Sequence, residues 1–393
     1  MSAEHESPAR KVCCPVCGAA GHDRLYPEYS GRCITSQLFF CDDIVLDNRC
    51  CAECGFIFNA RGVRGIEDRI YNTMVWQPKP QVMSFAKGGA RVTSHQNALN
   101  IIQSLVELPA QGRLLDFGAG TGAFLECFQQ AYPAWHLAAI EPGNGYQGLC
   151  RRVRLGKSYN QPYYTVEDDA RYDAVVVTSV LEHVADPVHA LRWIRQRLAP
   201  GGRVLMQHPN FASLPGDLFC ADHINKLTVP HTRALCRHAG FSVDAEDVST
   251  LMFYFVLSAC SSEEVPLAGC RDENLAIARQ CEHVARRTVE CVRAAAESAR
   301  SRGGRAAVFG TSPVGSMAPL VLDCKADVAC FVDENASVWG RDLEGISVVG
   351  PDRMRELGVT DVALAISPLY WRQVAKKMEH YGVAVHVPKV ATA

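Results

Sequence analysis

Nothing in this sequence offers a handle to a membrane or to nucleic acid. No apolar run reaches the roughly 18 residues that would cross a bilayer, and the opening stretch, Met1 to Val12, lacks the apolar segment of a secretory leader. Charge of one sign is scarce: 40 Lys and Arg against 42 Asp and Glu leave a formal net charge of −2. That balance gives no electrostatic footprint for a polyanion, and no basic helix is present. Internal repeats and low-complexity tracts are missing as well. These absences predict a cytoplasmic protein with neither membrane nor nucleic-acid partner.

What is present is ample core. The chain has 393 residues, 48% hydrophobic and 21% charged, enough for two or three globular units at about 100–200 residues each. Its 18 cysteines would form disulfides in a small secreted domain. In a long unsecreted chain, reduced thiols are the better expectation, with clustered ones binding metal. Cys127, Cys150, Cys236 and Cys291 fall in apolar or helical patterns and read as small core residues.

Four regions follow along the chain. Residues 1–75 are loop-rich and hold the cysteine cluster. Residues 76–262 alternate short apolar runs with helical periodicity, the pattern of βαβ units on a parallel sheet. Residues 263–303 connect, chiefly through one long helix from Arg271 to about Arg302. Its apolar face is Leu275, Ala278, Cys281, Ala285, Val289 and Val292, and Gly303 and Gly304 end it. Residues 304–393 repeat an α/β pattern on a smaller scale.

Cys14-Pro-Val-Cys17-Gly and Cys51-Ala-Glu-Cys54-Gly are paired C-x2-C knuckles. Each turns two sulfurs toward one point, and two knuckles supply the four thiolates of a tetrahedral zinc site. With no open coordination position the zinc would be structural, helping a region with little core of its own to fold. Cys13 and Cys50 leave the register slightly open; Cys33 and Cys41 stand outside the pattern.

The run Arg113-Leu-Leu-Asp116-Phe-Gly118-Ala-Gly120-Thr-Gly122 reads as a strand, a glycine turn and a helix start. A dinucleotide or S-adenosylmethionine (SAM) would suit it, since both need close backbone approach at a helix N-terminus. Three features favour SAM. Asp116 stands two positions before the first glycine. Glu141 ends the next strand, where a carboxylate can hold ribose hydroxyls. A buried strand then leads into Thr178-Ser179-Val-Leu-Glu-His183-Val, followed by Leu198-Ala-Pro-Gly-Gly.

These motifs, in this order, resemble the class I SAM-dependent methyltransferases. The resemblance implies a seven-stranded doubly wound sheet, with Gly118, Gly120 and Gly122 facing the methionine part of SAM and Glu141 the ribose. Asp116 would orient the cofactor amino group, and Ser179 would lie at the cofactor site. Over nearly the whole chain the sequence is similar to zinc-containing, three-domain C-methyltransferases of nucleotide-linked 4-keto-deoxysugars. The C-terminal run Ala307-Val-Phe-Gly310-Thr-Ser-Pro-Val-Gly315, then Asp333, fits their second Rossmann-like domain. The acceptor would lie between domains, a diphosphate reaching the amides from Thr311 to Gly315.

That family carries a tyrosine-histidine-glutamate-histidine run where this chain has Cys220-Ala-Asp222-His223. The resemblance makes His223 the candidate general base, with Asp222 beside it. A histidine near its ordinary pKa of about 6.5 can accept an α-proton at neutral pH. Cys220 replaces a phenol that could hold an enolate oxygen. His183 and His208 follow strands and could simply line the cleft, and His95 could be a surface residue. Three alternatives stand beside this reading: methyl transfer to O, N or C of another metabolite, an NAD-dependent oxidoreductase, and a zinc-ribbon adaptor.

Overall fold

Three sheets and one long helix organise the computed structural model, which describes residues 12–63, 70, 72, 83–85, 91–260 and 267–390. The expected region boundaries at 75/76 and 262/263 lie outside the described residues.

The N-terminal sheet comprises β1 (His22–Ile34), β2 (Phe40–Cys51) and β3 (Ile57–Asn59), antiparallel in that order. A short hairpin, β4 (Met83–Phe85) with β5 (Arg91–Thr93), leads into helix α1 (Ser94–Leu105). Thr93 caps α1 by accepting from the Gln96 amide.

The central unit runs β6 (Arg113–Phe117), α2 (Ala123–Ala131), β7 (His136–Ile140), α3 (Gly145–Arg152), β8 (Lys157–Tyr159), β9 (Tyr172–Thr178), α4 (Pro187–Arg195) and β10 (Leu198–Pro209). It continues with β11 (Asn225–Lys226), α5 (Val229–His238), β12 (Phe241–Asp247) and β13 (Met252–Ala259). Seven of these strands form one sheet in the order β12-β13-β10-β9-β6-β7-β8. Within it β13 alone runs against its neighbours β10 and β12. The parallel strands are apolar along both faces because helices cover both. Leu115, Val175 and Met206 pack on one side, Leu114, Val176 and Leu205 on the other.

The remaining strand, β11, leaves this unit and pairs with β3 as the fourth strand of the N-terminal sheet. The two regions are therefore sewn together by main-chain bonds at the segment immediately after His223.

Helix α6 (Arg271–Ser301) follows the expected span, buries Ala278, Cys281, Ala285, Val289 and Val292, and stops before Gly303 at φ +70°. Its apolar face packs on the N-terminal sheet and on the C-terminal sheet in one continuous core. The C-terminal unit contains β14 (Arg305–Phe309), α7 (Pro313–Val321), β15 (Val328–Val332), β16 (Asp342–Leu343), β17 (Ile346–Val349), β18 (Val359–Leu364), α8 (Trp371–Met378) and β19 (Ala384–His386). Its sheet order is β16-β17-β15-β14-β18-β19. No described helix is long and apolar enough to cross a membrane. Of the cysteines expected in the core, Cys236 and Cys291 are buried, Cys127 is half-buried and Cys150 is exposed. Cys150 lies on an exposed helix position near its C-terminal end, where local sequence pattern says little about depth.

Candidate active site and cysteine cluster

The two knuckles converge. All four sulfurs of Cys14, Cys17, Cys51 and Cys54 lie within 4.8 Å of one another, with Cys14–Cys54 at 3.8 Å and Cys17–Cys51 at 3.5 Å. A tetrahedron with ~2.3 Å metal–sulfur bonds has edges of about 3.8 Å, so the donor set fits zinc. Gly18 and Gly55 close the turns at φ +74° and +75°, donating to the carbonyls of Cys14 and Cys51. Cys50 points away, its thiol toward the Gly55 carbonyl, and Cys33 and Cys41 face one another across β1 and β2.

A cleft of about 2120 Å3 runs between the central and C-terminal units. At one end is the glycine turn between β6 and α2, with Gly118, Gly120 and Gly122 all at positive φ. A methyl group on Gly118 would meet Val180 at 2.5 Å, whereas one on Gly120 would project into open space. That difference marks Gly120 as the point where a ligand can lie against backbone. Glu141 lies beside it, accepting from the amides of Gly120 and Gly143, both at 2.7 Å. Burial raises its pKa against the pull of those two amides. Ser179, at φ +54°, lines the same cleft and bonds Gln207.

Asp116 is different. Its carboxyl is fully buried behind the turn rather than on the cleft wall, and both oxygens lack a hydrogen-bond partner among the described residues. Burial, then the neighbouring Glu141, pushes its pKa up to about 8. His95, by contrast, lines the cleft rather than the outer surface, its pKa lowered by burial and by Arg152.

The cleft floor is made by two loops. One follows β9 and carries Glu182 and His183; the other, residues 215–223, carries Asp217, Cys220, Asp222 and His223. The imidazoles of His183 and His223 meet edge to face, centroids 4.9 Å apart. The partner of His223 is Asp217, at 2.7 Å from Nδ1, rather than the adjacent Asp222. A single turn of 3-10 helix, Pro215–Phe219, folds Asp217 back over the ring. Asp222 instead accepts from the amide and hydroxyl of Ser36, both at 2.7 Å, and from the Cys220 thiol at 3.1 Å. Its main-chain oxygen accepts from His183 Nδ1 at 2.8 Å.

Asn225 locks the two loops together, its side chain donating to the carbonyls of Leu181 (2.8 Å) and Val184 (2.7 Å) and its main-chain amide donating to the Glu182 carbonyl. Lys226, fully buried, donates to the carbonyls of Cys220 and His223 and stands 3.9 Å from Asp217. Glu182 is buried with both carboxylate oxygens unpartnered among the described residues, and burial pushes its pKa up to about 7. Neither Asp217, Glu182, Asn225 nor Lys226 was singled out by spacing, since the contacts come from tertiary folding of two aperiodic loops. The far cleft wall comes from the C-terminal unit, where Ser312 caps α7 and Ser367 reaches back to the Ser213 carbonyl at 2.6 Å.

Turn, carboxylate and much of the floor lie within a stretch that is similar to known methyltransferases. Residues 93–246 match the family model described as a methyltransferase domain. The chain is 34% identical over 105 residues to the ubiquinone biosynthesis O-methyltransferase of Aeromonas salmonicida (strain A449), covering 25% of this chain and 43% of that protein. It is 26% identical over 168 residues to an uncharacterized 37.1 kDa protein in transposon TN4556 of Streptomyces fradiae, covering 40% and 46%. The chain thus spans less than half the length of the curated relatives it matches. Among solved structures, the SAH-bound form of CalO1, a methyltransferase in calicheamicin biosynthesis, aligns at TM-score 0.35 and 19% identity over 42% of this chain and 54% of that one.

Proposed function

We propose that the protein transfers the SAM methyl group to the carbon beside the ketone of a nucleotide-linked 4-keto-deoxysugar. The observation that carries this reading is one continuous cleft joining the glycine turn, the His183–His223 floor and the Ser312–Ser367 wall. At its first end Gly118 and Gly120 would lie along the methionine part, whereas Gly122, expected there too, packs on Leu149 and Val153 and does not line the cleft. Glu141 keeps lone pairs to accept from ribose hydroxyls beside its two amide bonds. SAM supplies there an electrophilic methyl on a sulfonium sulfur.

Carbon methylation requires loss of the α-proton first. On the floor two imidazoles meet, one of them oriented by a buried carboxylate, and that pair supports a proton-transfer role there. At the other end the start of α7 lines the cleft, with the Gly315 amide held by the Ser312 hydroxyl and the Thr311 amide by Asp333, so a diphosphate there would have to displace the cap or use the Ser312 and Ser367 hydroxyls. The cysteine cluster would hold a structural zinc ion that fixes the N-terminal sheet, and with it β11, against the floor.

The test is SAM-dependent turnover on a panel of thymidine-diphosphate 4-keto-deoxysugars, read by product mass and by SAM-free exchange of the α-proton in deuterium oxide. A product gaining one carbon-bound methyl supports the reading. Methylation of phenols or catechols alone would replace it with O-methyl transfer. That second reading draws on the likeness to an O-methyltransferase and on the cysteine at position 220.

A further inference from the structure

We propose that the two floor histidines divide the chemistry, with His183 Nε2 taking the proton from the acceptor carbon and His223 Nε2–H holding the oxygen on which charge develops. The inference deepens the carbon-methylation reading and rests on it for its catalytic arm.

The assignment stands on what each ring touches. The Nδ1 of His183 hydrogen-bonds a main-chain carbonyl, the oxygen of Asp222, at 2.8 Å, with the Asp222 carboxylate farther off at 3.8 Å. A carbonyl only accepts, so that nitrogen carries the proton, and in the neutral ring Nε2 is the basic atom. The Nδ1 of His223 instead meets a carboxylate, Asp217 Oδ1, at 2.7 Å. A carboxylate stabilises imidazolium far more than a carbonyl does. With centroids 4.9 Å apart, the rings disfavour a second positive charge. The proton therefore resides on the ring paired with the carboxylate.

The surrounding charges point the same way. His223 is faced by Asp217, Cys220, Asp222 and Glu182, against the cations Lys226 and, when protonated, His183. Burial alone would lower its pKa, but the charge of Asp217 and its hydrogen bond outweigh that and hold it well above the ordinary value; the Cys220 thiol, its own pKa pushed up to about 12 by burial, adds no charge. His183 faces Asp222, Asp217, Glu182 and His223; burial dominates there and lowers its pKa to about 4. Two titratable groups pushed apart in this way form an acid and a base at one pH.

The step balances without any further reactant. The acceptor C–H bond breaks, its electrons forming the enolate, and the proton goes to His183 Nε2. The enolate oxygen is held by the His223 Nε2–H. The enolate carbon then bonds to the methyl carbon as the methyl–sulfur bond breaks, and S-adenosylhomocysteine leaves neutral. His183 returns its proton to solvent. A cationic donor at His223 supplies what Cys220, in place of a phenol, does not.

Two measurements test the division. In 15N-histidine-labelled protein, long-range proton–nitrogen spectra distinguish the two neutral tautomers from imidazolium, with peaks assigned through His183→Gln and His223→Gln. At pH 7 His183 should be the neutral Nδ1–H tautomer and His223 imidazolium, and Asp217→Asn should lower the pH at which His223 loses its proton while His183 stays the neutral Nδ1–H tautomer at pH 7. Charge on His183, or a neutral His223 at pH 7, overturns the proposal.

In the catalytic arm, exchange of the α-proton of a thymidine-diphosphate 4-keto-6-deoxysugar should be flat near neutrality and fall on the alkaline side, as His223 deprotonates. His183→Gln should slow it by at least about 100-fold. An exchange rate that instead rises with pH through the His223 titration makes His223 the base and overturns the division. If the wild type exchanges no sugar in the panel, the sugar reading fails, and the spectra still decide the protonation states.

Discussion

At the scale of residues, two aspartates close in sequence have unlike tasks. Asp217 orients a ring, while Asp222 ties the loop before β2 to the floor through Ser36. Asp222→Asn should therefore cost about 1–3 kcal/mol of stability, by loss of charge-assisted bonds to a buried group. Denaturant titration would measure that loss, with S-adenosylhomocysteine affinity unchanged because Glu141 and the glycine turn are untouched. His208 gives a pH prediction. It is fully buried against Phe253 and Phe255, and burial lowers its pKa to about 4 despite the Pro209 carbonyl. The folded value lies below the unfolded value, so its contribution is full above about pH 6.5 and is lost as pH falls toward 4. The size is roughly 3 kcal/mol, and His208→Phe should flatten that part of the acid limb in pH-dependent unfolding.

The residue scale is also where the sequence was least legible. His223 stands in a recognisable run, but nothing in spacing says that a 3-10 turn will bring Asp217 to it instead of Asp222. His183 reads as an ordinary histidine after a strand until the second loop packs against it. Asp116 is a third case: its place before the glycines is legible in the motif, but its full burial with both oxygens unpartnered among the described residues comes from tertiary packing.

Elements were much easier to read. Short apolar runs placed the parallel strands and period-3.6 patterning placed α6, because apolar faces must be covered whatever the acceptor is. On α6, Ala295 is fully buried between the helix and its sheets. Ala295→Leu should overpack that seam and cost about 1–3 kcal/mol in thermal or denaturant unfolding. The glycine turn gives a second test. Gly120→Ala strains a backbone at φ +53° but meets no protein atom within 4 Å, so the domain should fold with a loss of about 1–2 kcal/mol. Calorimetry should nevertheless find S-adenosylhomocysteine binding weakened by at least about tenfold, roughly 1.4 kcal/mol, because the new methyl occupies ligand space. Unchanged affinity would move the cofactor away from Gly120.

For the whole molecule, the order of cysteine module, central sheet, long helix and second α/β unit was visible from composition and motif alone. What the sequence concealed is that the parts are not strung like beads. The Gly55 carbonyl accepts from Asn274 of α6 at 2.8 Å, so the second knuckle also holds the start of the connecting helix. Stripping metal with a thiol-displacing reagent and a chelator should release one zinc per chain and lower the melting temperature. Cys54→Ser should reproduce the lower melting temperature.

The shared strand β11 carries a consequence for how the enzyme comes into being. Its partner β3 is separated from it by most of the cofactor-binding unit, so this pairing closes a long loop and belongs late in assembly. A chain short of metal would hold a finished cofactor pocket beside an unfinished floor. It would still bind S-adenosylhomocysteine, yet it would be idle toward an acceptor. Activity in the cell would then follow the supply of zinc, through the order in which the chain is tied together.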